Sequence, residues 1–209
     1  MWVVVGLVAF LLLKAGTARA LVPSKLQSLA ELLVDFIRGI IHDTMGASGM
    51  RYFPLITTLF LFILFSNLVG LVPGSYTVTS QIIVTGIFAV GVYALSLVVG
   101  FKLHGAKFLG ILVPPGTPGW LLPLMIPIEL ISQLARPISL AVRLFANMTA
   151  GHTLLKVFAG FVVVMGAAGV VPLLFVVALT GLELLVAFLQ AYVFAVLTCI
   201  YLNDALHMH

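Results

Sequence analysis

Residues 130–156 read Leu130-Ile-Ser-Gln-Leu-Ala-Arg136-Pro-Ile-Ser-Leu-Ala-Val-Arg143-Leu-Phe-Ala-Asn147-Met-Thr-Ala-Gly-His152-Thr-Leu-Leu-Lys156, inside an apolar run that extends from Trp120 to Leu202. An arginine at membrane depth is costly, by roughly 3 to more than 10 kcal/mol, and it stays charged because its pKa lies above about 12. It needs an anionic partner, a watery cleft or a route to the interface. Arg143 has apolar residues before and after it and no acidic residue within one helical turn, so its partner is expected from another chain. For Arg136, beside the helix-disturbing Pro137, snorkelling to the headgroups remains an equal alternative.

Of the 209 residues, 63% are hydrophobic and only 8% are charged, and the mean hydropathy is +1.29. A soluble domain carries about 25% charged residues, so this composition predicts an all-α polytopic membrane protein. The formal charge of +4 is dispersed, with no basic patch for nucleic acid. No metal-ligand spacing and no cofactor motif is present, and the single cysteine, Cys199, cannot form an internal disulfide.

The chain reads as one membrane domain over residues 1–209. Residues 1–13 are apolar but shorter than the ~20 residues of a full span. Two readings compete: Ala18-Arg-Ala20 resembles a signal-peptidase site, though no positive region precedes the run, and the alternative is the inner part of a membrane helix whose start is absent. Over 24–45, with Ser24 as N-cap, Leu26, Leu29, Leu33, Phe36, Ile37, Ile40 and Ile41 fall at helical spacing. Lys25, Glu31, Asp35, Arg38, His42 and Asp43 occupy much of the other face. This amphipathic helix is expected to lie at the interface, ended by Gly46 and Gly49. Residues 52–72 and 80–101 predict two spanning helices, the first carrying Asn67 for interhelical hydrogen bonding or for a water path. A charge-free turn joins them, and residues 102–119 form a loop.

From 120 the run predicts a hairpin of two helices, 120–165 and 170–204, broken at Met165-Gly-Ala-Ala-Gly169-Val-Val-Pro172. At 1.5 Å per residue both helices far exceed the ~30 Å hydrocarbon core. They must slant strongly or kink at Pro123, Pro127 and Pro137. Lys14, Arg19, Lys25, Arg38, Arg51, Lys102 and Lys107 all fall on one side, which the positive-inside rule places in the cytoplasm or matrix, with the C-terminus and Asp204.

On this hairpin the polar residues are ordered by depth. Glu129 lies on the inner approach. Arg143, fourteen residues on, is about 40° away around the helix and roughly 21 Å along it. Ser132, Gln133, Arg136, Ser139, Leu140 and Asn147 fall on or near the same stripe. His152 points to the opposite side, nearer the outer turn. Glu183 lies in the outer half of the returning helix and shares a face with Gln190, seven residues later. Carboxyl and imidazole groups both pass protons. Packing roles stay open for these residues: helix N-terminal preference for Glu129, hydrogen-bond glue for Asn147 and Gln190, a satisfied histidine for His152.

The run Ser139-Leu-Ala-Val-Arg143-Leu-Phe-Ala-Asn147-Met-Thr-Ala-Gly151-His152 resembles the signature of subunit a of rotary ATP synthases. The likeness extends through Leu21-Val-Pro-Ser, Phe65-Ser-Asn67-Leu-Val-Gly70-Leu-Val-Pro73, Gly181-Leu-Glu183 and Gln190-Ala-Tyr-Val-Phe. The resemblance implies a proton-conducting stator in an energy-coupling inner membrane, bacterial or mitochondrial. Its partners would be a ring of c subunits, b-type and peripheral-stalk subunits, the soluble ATPase head indirectly, lipid and protons. It implies that Arg143 faces the c-subunit carboxylate, and that Glu183 and His152 belong to an outer half-channel, Glu129 and Ser132 to an inner one. Gln190 would lie near the arginine, with Asn147, Ser139 and Asn67 in supporting positions. The His/Glu order resembles the mitochondrial and alphaproteobacterial form. From the residues alone, an independent channel or transporter and a structural subunit of a respiratory complex stay open. The first should carry a selectivity motif or matching halves, and no convincing internal repeat is found.

Overall fold

The structure, a computed structural model, describes residues 1–17, 25–72, 77–112 and 121–206. Every regular element among the described residues is helical. Six α-helices follow in order: α1 Trp2–Thr17, α2 Lys25–Met45, α3 Phe53–Gly70, α4 Ile82–His104, α5 Leu122–Val164 and α6 Val170–Leu206. Short 3-10 segments join several of them: Gly46–Tyr52, Val78–Ser80, Gly105–Leu112 and Gly166–Gly169. Gly46 and Gly166 adopt φ of 64° and 55° where α2 and α5 end, a conformation that costs other residues a Cβ clash.

Among the described residues, four stretches are long and apolar enough to cross a membrane: Gln27–Gly70, which joins most of α2 to α3, then Ile82–His104, Leu122–Val164 and Val170–Leu206. Helices α3, α4 and α6 are apolar on all sides, as helices between lipid and other helices should be. α2 divides its faces: Lys25, Glu31, Asp35, Arg38, His42 and Asp43 are exposed, while Ile37, Ile40, Ile41 and Met45 are buried. Leu29, expected in the inward stripe, stays 53% exposed beside Leu32 at 72%, so α2 keeps an apolar edge outside the core.

Helix α6 is the hub, packing against α2, α3, α4 and α5. Its Ala187, Ala191 and Ala195 are fully buried; small side chains let helices approach closely where lipid offers no hydrophobic drive for association. Around them pack Ile37 and Ile41 of α2, Ile56, Phe60 and Ile63 of α3, Ala89 of α4, and Leu140 and Leu144 of α5. Phe36 lies 5.8 to 6.0 Å from the rings of Phe60, Phe188 and Tyr192, tying three helices with tilted aromatic pairs.

Some boundaries depart from the sequence reading, and Ser24, Arg19 and Ala18-Arg-Ala20 lie outside the described residues, as do residues 113–120. Helix α4 runs to His104 rather than 101, because Lys102 and His104 suit a helix C-terminus and Gly105 is the first residue that stops it. Helix α6 continues to Leu206, held there by an ion pair described below. Helix α5 runs through Pro127 and Pro137 without a break. Each proline deletes one backbone hydrogen bond, a loss that neighbouring helices make tolerable inside a bundle.

Phe60 is fully buried where α2, α3 and α6 meet. Phe60→Ala should destabilise the fold by about 3–5 kcal/mol. Protease resistance in membranes, followed against temperature, should fall well below that of the unmodified chain, whereas truncating the exposed Val90 should leave it unchanged.

Candidate functional site

Three groups of polar side chains lie along the hairpin. The first is near its turn, where α5, α6, α3 and the segment before α4 converge. Glu183 is buried, 5% exposed, and both its carboxyl oxygens lack a hydrogen-bond donor among the described residues. The imidazole of His152 lies close by, with Nδ1 3.7 Å from Oε1. Gly151 makes this proximity possible. A Cβ there would sit 2.5 Å from Glu183 Oε1, so only glycine lets the carboxyl settle against α5.

The other nitrogen of His152, Nε2, lies 2.7 Å from Thr77 Oγ1. Thr77 in turn donates to the Gly70 carbonyl at 3.3 Å, and its own carbonyl accepts from Ser80 Oγ at 2.7 Å. Next to it, Asn67 is fully buried. Its amide donates to the Ala187 carbonyl at 3.2 Å, and its Oδ1 accepts from Thr79 Oγ1 at 2.8 Å. The charge-free turn thus supplies two threonine hydroxyls to the interior, one for His152 and one for Asn67.

The second group is at the open end of the hairpin. Arg136 Nη1 lies 3.2 Å from Asp204 Oδ2, with both side chains a little over one-third exposed. Of the two expectations for Arg136, the partnered one holds. Gln133 donates to Glu129 Oε1 at 3.0 Å, one turn away on α5. Beside the ion pair is a cavity of about 230 Å³ between α4, the following 3-10 segment, α5 and α6, lined by Tyr93, Phe101, Leu130, Gln133, Arg136 and Asp204 among others.

The third group lies between them. Arg143 is exposed on α5 and makes no hydrogen bond or ion pair among the described residues. Ser132 and Ser139 are exposed too, and Asn147 is half-buried. The shared stripe therefore divides: Leu140 turns into the core, Arg136 turns to Asp204, and Arg143 faces out. Ile131, Leu134, Ile138 and Val142 of α5 and Leu182, Leu185 and Leu189 of α6 are exposed as well. Gln190, 8% exposed, is the polar residue of α6 in the buried part between Glu183 and Thr198.

Sequence reasoning paired His152 with Glu183 but missed Thr77, Thr79, Gly151 and the partner of Arg136. Asp204 was within reach: from residue 120 on, the acidic residues are Glu129, Glu183 and Asp204, and Asp204 alone shares the inner depth of Arg136 across the hairpin. For the threonines no comparable signal existed.

Residues 1–203 match the protein family described as ATP synthase A chain. The chain is 58% identical to ATP synthase subunit a of Rhizobium johnstonii, over 92% of this chain and 80% of that one. It is 58% identical to the subunit a of Chelativorans sp., over 95% and 82%. The match to the Acidiphilium cryptum protein is 55%, over 97% and 84%.

Asn67→Ala should leave the buried Thr79 hydroxyl without its acceptor and remove the second hydrogen bond to the Ala187 carbonyl. The expected loss is about 1–3 kcal/mol. A lower thermal midpoint for α-helix loss in membranes checks it; an unchanged midpoint would mean that these bonds hold nothing.

Proposed function

From the premise that this chain belongs to the ATP synthase A chain family, we propose that it is the stationary, proton-conducting subunit of the membrane sector of an ATP synthase, an inner-membrane, multi-pass protein. Coupling would take place against a ring of c subunits, with b-type and peripheral-stalk subunits holding the chain still and the ATPase head driven indirectly. The subunit is no enzyme by itself; it supplies the path along which proton flow turns a rotor.

The observation that carries this reading is the exposure of Arg143, within a helix long and apolar enough to cross a membrane, without a hydrogen bond or ion pair from the described part of its own chain. A guanidinium left to lipid alone is too costly to keep, and a carboxylate on a neighbouring ring meets the need. A ring carboxyl is neutral when protonated and can pass through lipid. When ionised it requires a cation, and Arg143 offers one that does not lose its proton. The same fixed charge repels protons and so opposes a direct leak past it.

Two aqueous approaches, offset along the hairpin, complete the mechanism. On the outer side, Glu183 and His152 exchange protons, with Asn67 among the supporting residues. On the inner side, Glu129 and Ser132 receive them, and the Arg136–Asp204 pair with its adjoining cavity lies close by. Asn147, Ser139 and Gln190 flank Arg143. Each proton crossing 100 mV releases about 2.3 kcal/mol, so several must ride the ring for each ATP made.

Basic residues gathered on one side support a C-terminus in the cytoplasm or matrix. The divided faces of α2 support an interfacial position for it. The 43 residues of α5 and 37 of α6 amount to roughly 65 and 55 Å. Against a core of ~30 Å this supports a strong slant, laying the Arg143 face along the ring.

The decisive test is ATP synthesis and proton flux in inverted vesicles carrying Arg143 variants with assembly verified. Arg143→Ala should abolish proton-driven synthesis and open a passive leak. Arg143→Lys should hold the barrier better yet still fail in synthesis, because a desolvated lysine can release its proton. Arg136→Ala should be milder. Near-normal synthesis in the alanine variant at 143 would overturn this function.

A further inference from the structure

The contacts of His152 contain more than a proximity to Glu183. Thr77 has one hydroxyl hydrogen, and it points to the Gly70 carbonyl, which can only accept. The 2.7 Å contact between Thr77 Oγ1 and His152 Nε2 and the contact to Gly70 are both made at once only when Nε2 carries the hydrogen and donates it to Oγ1. A neutral imidazole has one N–H. Nδ1 is therefore bare, and Nδ1 is the nitrogen that faces Glu183 Oε1 at 3.7 Å.

We propose that Thr77 is a positioning residue that fixes the tautomer of His152, so that the histidine takes and returns protons at Nδ1 only. The step balances simply. Protonated Glu183 gives its proton to Nδ1, leaving a carboxylate beside an imidazolium with N–H on both nitrogens. The return step moves the same proton back to the carboxyl oxygen. Closing 3.7 Å to the 2.7–3.2 Å of a hydrogen bond takes only a small shift of either side chain. Exit through Nε2 is blocked, because that proton would meet a hydroxyl whose own hydrogen leads to a carbonyl that takes no proton at neutral pH. His152 is then a side store for Glu183 rather than a link through which protons run from one nitrogen to the other.

The surroundings fit this role. Thr77 is 6% exposed and its turn is held by Ser80, so the hydroxyl is pre-placed. Gly151 keeps the Glu183 carboxyl against the same helix turn as His152. Of the elements packed here, α3 and the 77–80 segment carry no titratable group, α6 contributes Glu183, and on α5 Lys156 is exposed one turn beyond. Nothing else among the described residues competes for Nδ1.

The proposal rests on the outer proton path described above, and its test separates the two. In the assembled complex in native membranes, labelled with 15N-histidine, the His152 signal is identified by its loss in a His152→Gln sample. It should report a neutral ring with hydrogen on Nε2 and a bare Nδ1; the opposite tautomer overturns the proposal without any variant at Thr77. Thr77→Val, which keeps the shape and removes the hydroxyl, should mix the tautomers and slow proton translocation roughly tenfold, at the low end of what partners that fix a histidine tautomer contribute. Thr77→Ser should restore both readouts. A valine variant that assembles with unchanged flux and an unchanged spectrum overturns the role of Thr77. If it fails to assemble, the wild-type spectrum and the serine variant decide. Glu183→Gln supplies the separate control. If it blocks flux while Thr77→Val does nothing, only this proposal falls; if it too leaves flux intact, the outer path itself falls.

Discussion

A charge or a hydrogen-bonding group withdrawn from water must find a partner, and in this chain that demand decides how the helices meet. Arg136 of α5 finds Asp204 of α6. Asn67 of α3 finds a carbonyl of α6 and a threonine before α4. His152 of α5 is placed between Glu183 and Thr77. Each of these contacts joins different helices, so polar pairing, rather than apolar contact alone, sets the register of the bundle. Apolar packing between helices in lipid gains little over packing against lipid tails. Arg143 is the exception that directs attention outward, since the described part of its own chain offers it no counter-charge.

The two ends of the hairpin are built differently. At the open end the ion pair is about one-third exposed and borders a cavity, so water can share in its solvation. At the turn end Glu183 is enclosed, and its oxygens lack donors among the described residues. A pair reached by water is cheap to keep charged, whereas an enclosed carboxyl is sensitive to every neighbouring proton. The first suits a fixed structural clasp and the second a group that changes its protonation.

Much of this was legible in the sequence because the signals were strong and one-dimensional. Apolar runs longer than a bilayer is thick, an interrupting glycine-rich turn, and a divided pattern over residues 24–45 translate directly into helices, a hairpin and a two-faced helix. His152 and Glu183 could be matched because depth along a helix is countable. Helix ends were harder: α4 passes its expected end because basic residues suit the last turn, and α6 does so because Asp204 is held by a residue far away in sequence. Thr77 and Thr79 were invisible, since two small hydroxyls in a turn look like solvent-facing loop chemistry until the fold brings α3 and α5 to either side. Leu29 fell on the inward stripe by spacing alone, but the neighbouring helices do not extend over it. Periodicity states which face is apolar, and only packing states how much of it is covered.

The hub position of α6 bears on how the chain is made. Synthesis runs from the N-terminus, so Arg136 enters the membrane 68 residues before Asp204 exists, and Asn67 precedes Ala187 by 120 residues. At about 5–20 residues per second those intervals last several seconds to tens of seconds. During them a guanidinium and an amide wait without the partners they will keep. Until then those groups depend on water or lipid headgroups for solvation. Helix α6 thus closes the bonds to Arg136, Asn67 and His152 late, and a ribosome that stalls before it leaves a guanidinium, an amide and an imidazole without their α6 partners.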